Sequence, residues 1–543
     1  MGDKMSDETK LGAEQRRRHV SAPGALDRRQ VLKGLGLTGA ALSVPGLLRS
    51  GNALAASGGT MTWAKPLETT MLDPQTSILG SSWQTLHLVY DSLVDMDDRM
   101  NLIPALAESW EQTSPTTYVF KIRKGVKFSN GRDMTVDDAV GSIQRVIDPK
   151  TGSYWALEMG AVKEIKKLDE STMQIELNGP HTPLVHALSA TMTSIMPMKE
   201  IAAGEMDPTK QMLGTGPFMV ESHAQDDNWV LVRNPHYWRA GLPKLDKVII
   251  KIMPSDQARI AGLRDGSIDI ASFEASPDAP LLLKNIENVA VHVEDVTNYY
   301  FFAMNAVWDQ SPFSNQKLRQ AVALTIDRNK IREVALGGAG EPTTAMAPGF
   351  KKCDTSKLPV WNRNIDQAKA TLKEAGVEGL KFELLVRNLP ADIQMAQVIK
   401  QNVAEIGLTA EIAVVDEGTW VKRAWVDNPS QFQAMVTWYA GYSDPVMATL
   451  WYNPEKAGFT AGHMPMVPEL NQLMADGFSQ PNGPERDKTL QALCAKIDEL
   501  AVKVPLVTRQ DTVAYRSDKI SAKVVHLEGY VNTLRGAEEY TRL

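Results

Sequence analysis

The stretch of this chain that leaves the fewest options runs from residue 117 to residue 147. In residues 118–123 the apolar side chains Tyr118, Phe120 and Ile122 take alternate places, with Lys121 and Arg123 opposite. That is the period-two pattern of a half-buried strand. Lys124-Gly125 ends it, and Ser129-Asn130-Gly131-Arg132-Asp133 is turn chemistry, with Gly131 free to take positive φ. A helix then begins at Thr135, whose hydroxyl can cap free backbone N–H groups while Asp138 sits in the first turn. Val136, Val140, Ile143 and Ile147 recur at helical spacing behind it. Strand, turn and capped helix in succession commit the chain to an α/β core.

The chain has 543 residues, of which 43% are hydrophobic. That is too long for one compact core, and two or three lobes are expected. Further along, 61–63, 171–177, 230–232, 248–252, 289–296, 382–386, 409–415 and 433–438 read as strands. Helices are predicted over 256–264, 315–324, from Asp327, over 366–375 ended by Gly376, and over 393–406 ended by Gly407. The strand, helix, strand order of 382–415 implies parallel pairing through a right-handed crossover.

Several blocks carry a resemblance to a known family. YDSLV at 90–94, LIPALAESWE at 102–111 and YVFKIRKGVKFSNGRDMTVDDAV at 118–140 are followed by GTGPF at 214–218 and NPHYWRAGLPKLDKVIIKI at 234–252. DGSIDI at 265–270 and PFSNQKLRQAVALTIDRNKI at 312–331 complete the series. In this order they resemble the family 5 extracellular solute-binding proteins, the dipeptide- and oligopeptide-type receptors of ABC importers, over nearly all the chain beyond residue 60. The resemblance implies a two-lobed periplasmic-binding-protein fold of the large class II type, with an extra subdomain in the first lobe. On that basis the first lobe is expected at 56–297 with its inserted subdomain at about 105–212, the second lobe at 298–506, and a return to the first lobe at 507–543.

The resemblance further implies a receptor, not an enzyme, that captures a peptide or peptide-like solute and delivers it to an inner-membrane permease. A receptor of the same fold for an opine, amino acid derivative, sugar or metal complex is the alternative. An exported enzyme is a third reading, but the chain has no Gly-x-Ser-x-Gly elbow, clustered cysteines or zinc motif. No cofactor or protein-bound metal is expected, and the receptor is expected to act as a monomer.

The first 55 residues read as an export signal. Asp27-Arg28-Arg29-Gln30-Val31-Leu32-Lys33 precedes a mild, glycine-rich apolar stretch at 34–48, then Arg49 and Ala53-Leu54-Ala55. This resembles a twin-arginine signal cleaved after Ala55, which implies the twin-arginine export machinery as a partner and the periplasm as destination. The segment holds nine basic and five acidic residues, so the chain beyond it carries −11, against −7 for the whole. Such an acidic surface argues against nucleic acid as partner. Cys353 and Cys494 are either one disulfide or two free thiols.

Candidate ligand residues follow from the family pattern. The loop after the first strand borders the cleft in the family, which nominates Leu79, Gly80, Ser81 and Trp83. The aromatic run at 298–305 would cross between lobes and contributes Tyr299 and Phe302. The strand at 433–438 runs into Trp438-Tyr439-Ala440-Gly441-Tyr442-Ser443-Asp444, and the C-terminal ends of parallel strands are where open α/β sheets bind ligands. Peptide-binding relatives place a carboxylate for the ligand's amino group where this chain has Gly441. Asp444 is the nearest substitute, with a structural Asp-Pro turn as its other reading. Arg387 lies near the position that holds a ligand carboxylate in dipeptide receptors. Trp438, Tyr439 and Tyr442 complete the set.

Overall fold

The computed structural model describes residues 58–98, 100–273, 276–346, 352–439, 441, 444–457, 460–524 and 534–543. The export signal with its cleavage point at Ala55 lies outside these residues, as does Tyr442.

The 117–147 unit forms as the residue pattern requires. Thr117–Ile122 is a strand with Phe120 and Ile122 inward. Val136–Ile147 is a helix entered through a reciprocal capping box in which the Thr135 hydroxyl accepts from the Asp138 N–H and the Asp138 carboxylate accepts from the Thr135 N–H. Gly131 takes φ +88°, the left-handed conformation that its turn needs. The strand belongs to a four-stranded antiparallel sheet, separate from the main one, with Ala107–Ser114, Thr172–Leu177 and Val162–Asp169.

The main sheet has ten strands. In spatial order they are Thr409–Val415, Lys381–Arg387, Ala434–Tyr439, Val289–Met304, Lys503–Arg516, Ile270–Phe273, Thr60–Lys65, Lys247–Ile252, Asn228–Arg233 and Phe218–Ala224. The expected parallel crossover is present: Lys381–Arg387 pairs parallel with both Thr409–Val415 and Ala434–Tyr439. The two central strands are long and antiparallel, 16 and 14 residues, and each runs through both lobes. Val289–Met304 is thus one strand where the residue pattern suggested a strand and then a crossing. Its pairing with Lys503–Arg516 shifts register between Asp295 and Tyr299 and again before Phe301, so the ladder is interrupted over 295–301.

Alternation along the crossing strands sorts the core. Tyr300, Phe302 and Met304 pack with Leu384, Val386, Val436 and Leu506 against the helices of the second lobe. Tyr299, Phe301 and Ala303 face the other way, into a cluster that continues to Trp63, Trp83 and Phe120 of the first lobe. Cys353 and Cys494 form a disulfide across a Cα separation of 6.0 Å, which settles the two readings in favour of pairing.

Residues 181–182 meet residues 478–480 in a seam of direct contacts. The Thr182 N–H donates to the Phe478 carbonyl at 2.8 Å, the Thr182 hydroxyl donates to the Gln480 carbonyl at 2.7 Å, and the His181 ring stacks on Phe478 at 5.2 Å. Among the described residues no helix is long and apolar enough to cross a membrane.

Candidate ligand-binding site

The residues nominated from the first lobe sit together at one helix start. Leu79 is the N-cap residue of Gly80–Leu86, and both Leu79 and Gly80 are solvent-exposed. Ser81 and Trp83 are buried. The Ser81 carbonyl accepts from Nζ of Lys65, and the Trp83 indole N–H donates to the Ser77 carbonyl at 3.1 Å. The Trp83 ring lies 6.3 Å from Tyr154, so the indole contributes a wall rather than a hydrogen bond.

From the second lobe comes an aromatic wall. Tyr439 stacks on Phe301 at 4.1 Å and on Trp451 at 5.6 Å, with Trp425 at 6.1 Å and Tyr299 edge-on at 6.5 Å. The Tyr299 hydroxyl lies 3.5 Å from that of Tyr452. Burial raises the Tyr439 phenol well above its usual pKa, and its hydroxyl has no hydrogen-bond partner among the described residues. Phe301, Trp425, Trp451 and Tyr452 were not legible as site residues, although Trp451-Tyr452 shares the loop that follows Asp444-Pro445.

Two nominations face elsewhere. Phe302 lies on the opposite face of its strand from Tyr299 and belongs to the interior of the second lobe, because strand side chains alternate. Trp438, one residue from Tyr439, likewise packs against that interior, with the Arg509 guanidinium 4.4 Å over its ring.

The two residues weighed as amine anchors also differ from expectation. A Cβ at Gly441 would stand 2.1 Å from the Thr297 carbonyl oxygen and 2.3 Å from its Cβ, while the Gly441 N–H donates to Asn298 Oδ1 at 2.7 Å. The glycine is therefore required by backbone contact, and a carboxylate has no room there. Asp444 corrects the expectation of a substitute acid. It is 2% exposed, and both its oxygens are taken by Arg486, at 2.8 and 3.0 Å. Asp444 Oδ1 also accepts the Val446 N–H at 2.9 Å, so the structural-turn reading accounts for every contact.

Arg387 ends its strand buried, with Nε donating to Asp392 Oδ2 at 2.8 Å and the guanidinium 5.3 Å over Trp420. Burial raises the Asp392 carboxyl, an effect the neighbouring Arg387 opposes. Nη2 of Arg387 has no partner among the described residues. It is a buried donor, fixed in place by its carboxylate and open to an acceptor.

A continuous sheet shared by two lobes, a seam closed by direct contacts and an aromatic wall between them define a two-lobed binding protein. The sequence comparisons name the family. The model of the bacterial extracellular solute-binding proteins, family 5 Middle, matches residues 101–459, and this chain belongs to that family, the substrate-binding components of ABC importers. The glutathione-binding protein of Escherichia coli strain K12 is 27% identical over 378 residues, 69% of this chain and 73% of that protein. Among solved structures, a periplasmic binding protein from A. tumefaciens R10 in complex with agropinic acid superposes with TM-score 0.75, at 22% identity over 88% of this chain and 97% of that one. An ABC transporter-associated periplasmic binding protein from Helicobacter pylori in complex with the peptide STSA also gives TM-score 0.75, at 21% identity over 90% of this chain and 98% of that one. These likenesses show the fold.

Proposed function

We propose that this chain is the periplasmic receptor of an ABC importer and closes its lobes on a small peptide-like solute carrying an acid group. The observation that carries the reading is Arg387, buried at the C-terminal end of a parallel strand, held by Asp392 and left with an Nη2 that has no partner among the described residues. A carboxylate is the acceptor whose planar geometry suits a guanidinium. Trp83, Tyr299 and Tyr439 supply apolar walls, and the two crossing strands supply the hinge, where the ladder is interrupted. The paired arginines at 28–29 and the small residues ending at Ala55 support export through the twin-arginine route, with the receptor acting as a monomer that has no turnover of its own.

A non-peptide acid, such as an opine, is the second reading. It is favoured by Gly441 and Asp444, since neither leaves a carboxylate free for a ligand amine. Native mass spectrometry on the chain purified from periplasm without refolding, followed by denaturing release, tests both. A released peptide supports the first, a non-peptide acid the second, and a solute with no acid group refutes the role given to Arg387.

A further inference from the structure

Some buried basic side chains around the crossing strands meet carboxylates, and others, such as Arg319 and Arg328, meet only backbone carbonyls among the described residues. Arg387 is paired with Asp392, Arg509 with Asp511 at 3.1 Å, and Arg486 with Asp444. Lys503, at the start of the second crossing strand, is 1% exposed and pairs with no carboxylate among the described residues. Its Nζ donates to one acceptor, the Trp451 carbonyl at 2.5 Å, and stands 5.0 Å from the Tyr439 ring and 5.1 Å from the Tyr452 ring. An ammonium has three N–H groups, so two are without an oxygen acceptor among the described residues. Burial pulls the Lys503 ammonium well below its usual pKa, because a buried cation of this kind is costly unless an anion pairs with it.

The Tyr439 hydroxyl is buried without a partner among the described residues, and so is Nε2 of His463, a ring 5.7 Å from Trp425 in the same aromatic cluster. Burial, and secondarily the Lys503 charge, lower the His463 imidazole well below its usual pKa. The ammonium and the Tyr439 hydroxyl can both donate to a group that would bring negative charge.

Lys503 is too far from Arg387 for both to hold the same carboxylate. The register runs from Lys503 through Ala303 and Met435 to Leu385, and Arg387 is two residues further on. Three strand spacings and two residue rises place the two Cα atoms roughly 16 Å apart. Two long basic side chains reaching inward from such a separation suit the two ends of one small molecule.

We propose that Lys503 is a specificity-determining cation, and that the ligand is a solute with two carboxylates, one meeting Arg387 and the other seating at the aromatic wall against the Tyr439 hydroxyl and Lys503. This rests on the reading that the ligand lies between the lobes, and it adds a second acid group to the one assigned to Arg387.

The test uses the solute that the full chain carries from the periplasm. Released material is divided, and one half is treated with acidic methanol, which adds one methyl group per carboxylate. Mass spectrometry of that half is expected to show two methyl groups added. Wild type is expected to rebind the free solute at least tenfold more tightly than the methylated one. Lys503→Met is expected to lose most of that preference without losing thermal stability, since an apolar side chain of similar length replaces an unpaired charge, and Lys503→Arg is expected to keep it. A solute that takes up one methyl group or none overturns the proposal, as does a Lys503→Met variant that discriminates like wild type. If no small solute is released or rebound by any preparation, the receptor reading itself fails and this inference falls with it.

Discussion

Replacing Asp444 by asparagine separates a ligand anchor from a structural ion pair. The substitution keeps the shape and the acceptor for the Val446 N–H, but it leaves the Arg486 guanidinium, 2% exposed, without its counter-charge. Arg486 would retain the Gly477 carbonyl at 2.8 Å and Asn482 Oδ1 at 2.6 Å. Breaking a buried pair by removing one partner costs about 3–5 kcal/mol, and with these two acceptors retained the lower end, about 3 kcal/mol, is expected. Removing both charges in Asp444→Asn with Arg486→Met should recover much of the loss, because no uncompensated charge then remains buried. Guanidinium denaturation of the four members of this cycle reads the coupling directly, and titration with amine-bearing and amine-free ligands reads binding in parallel. The reasoning is refuted if Asp444→Asn unfolds at the wild-type midpoint while amine-bearing ligands alone bind at least tenfold more weakly.

Three further outcomes are expected. Gly441→Asp should lower the melting temperature and create no affinity for peptide amines, since its Cβ meets the Thr297 backbone at 2.1 Å; a stable variant with new amine affinity in calorimetry would contradict this. Reducing the Cys353–Cys494 bridge, which spans 141 positions, should cost up to about 5 kcal/mol on the loop-entropy scale, read as the difference in denaturation midpoint with and without reductant. His181 is buried and its pKa is lowered to about 4. The unfolded chain therefore takes up the proton first, so its contribution is fully present above the unfolded pKa of about 6.5 and is lost as pH falls toward 4. In denaturation at a series of pH values between 7 and 4, His181→Phe should flatten part of that slope, and an unchanged slope would show that His181 is not its source.

The sequence by itself determined whatever depends on neighbours a few residues apart. The alternation at 118–123, the Thr135–Asp138 capping box, the glycine turn at 131 and the parallel pair 381–387 with 409–415 all formed, because period and capping are local chemistry. The ordered blocks also sufficed for the family. Only the tertiary structure decided which side of each strand meets the other lobe, so that Tyr299 and Tyr439 form the wall while Phe302 and Trp438 turn into the second-lobe interior. It also decided the partners. Asp444 finds Arg486 across 42 positions, Cys353 finds Cys494 across 141, and Gly441 is pressed against Thr297. Lys503 reads in sequence as an ordinary charged residue before Val504-Pro505. It is the docking of the Trp451-Tyr452 loop over the crossing strand that buries its charge, since desolvation depends on what the fold brings near and not on what the chain places beside it.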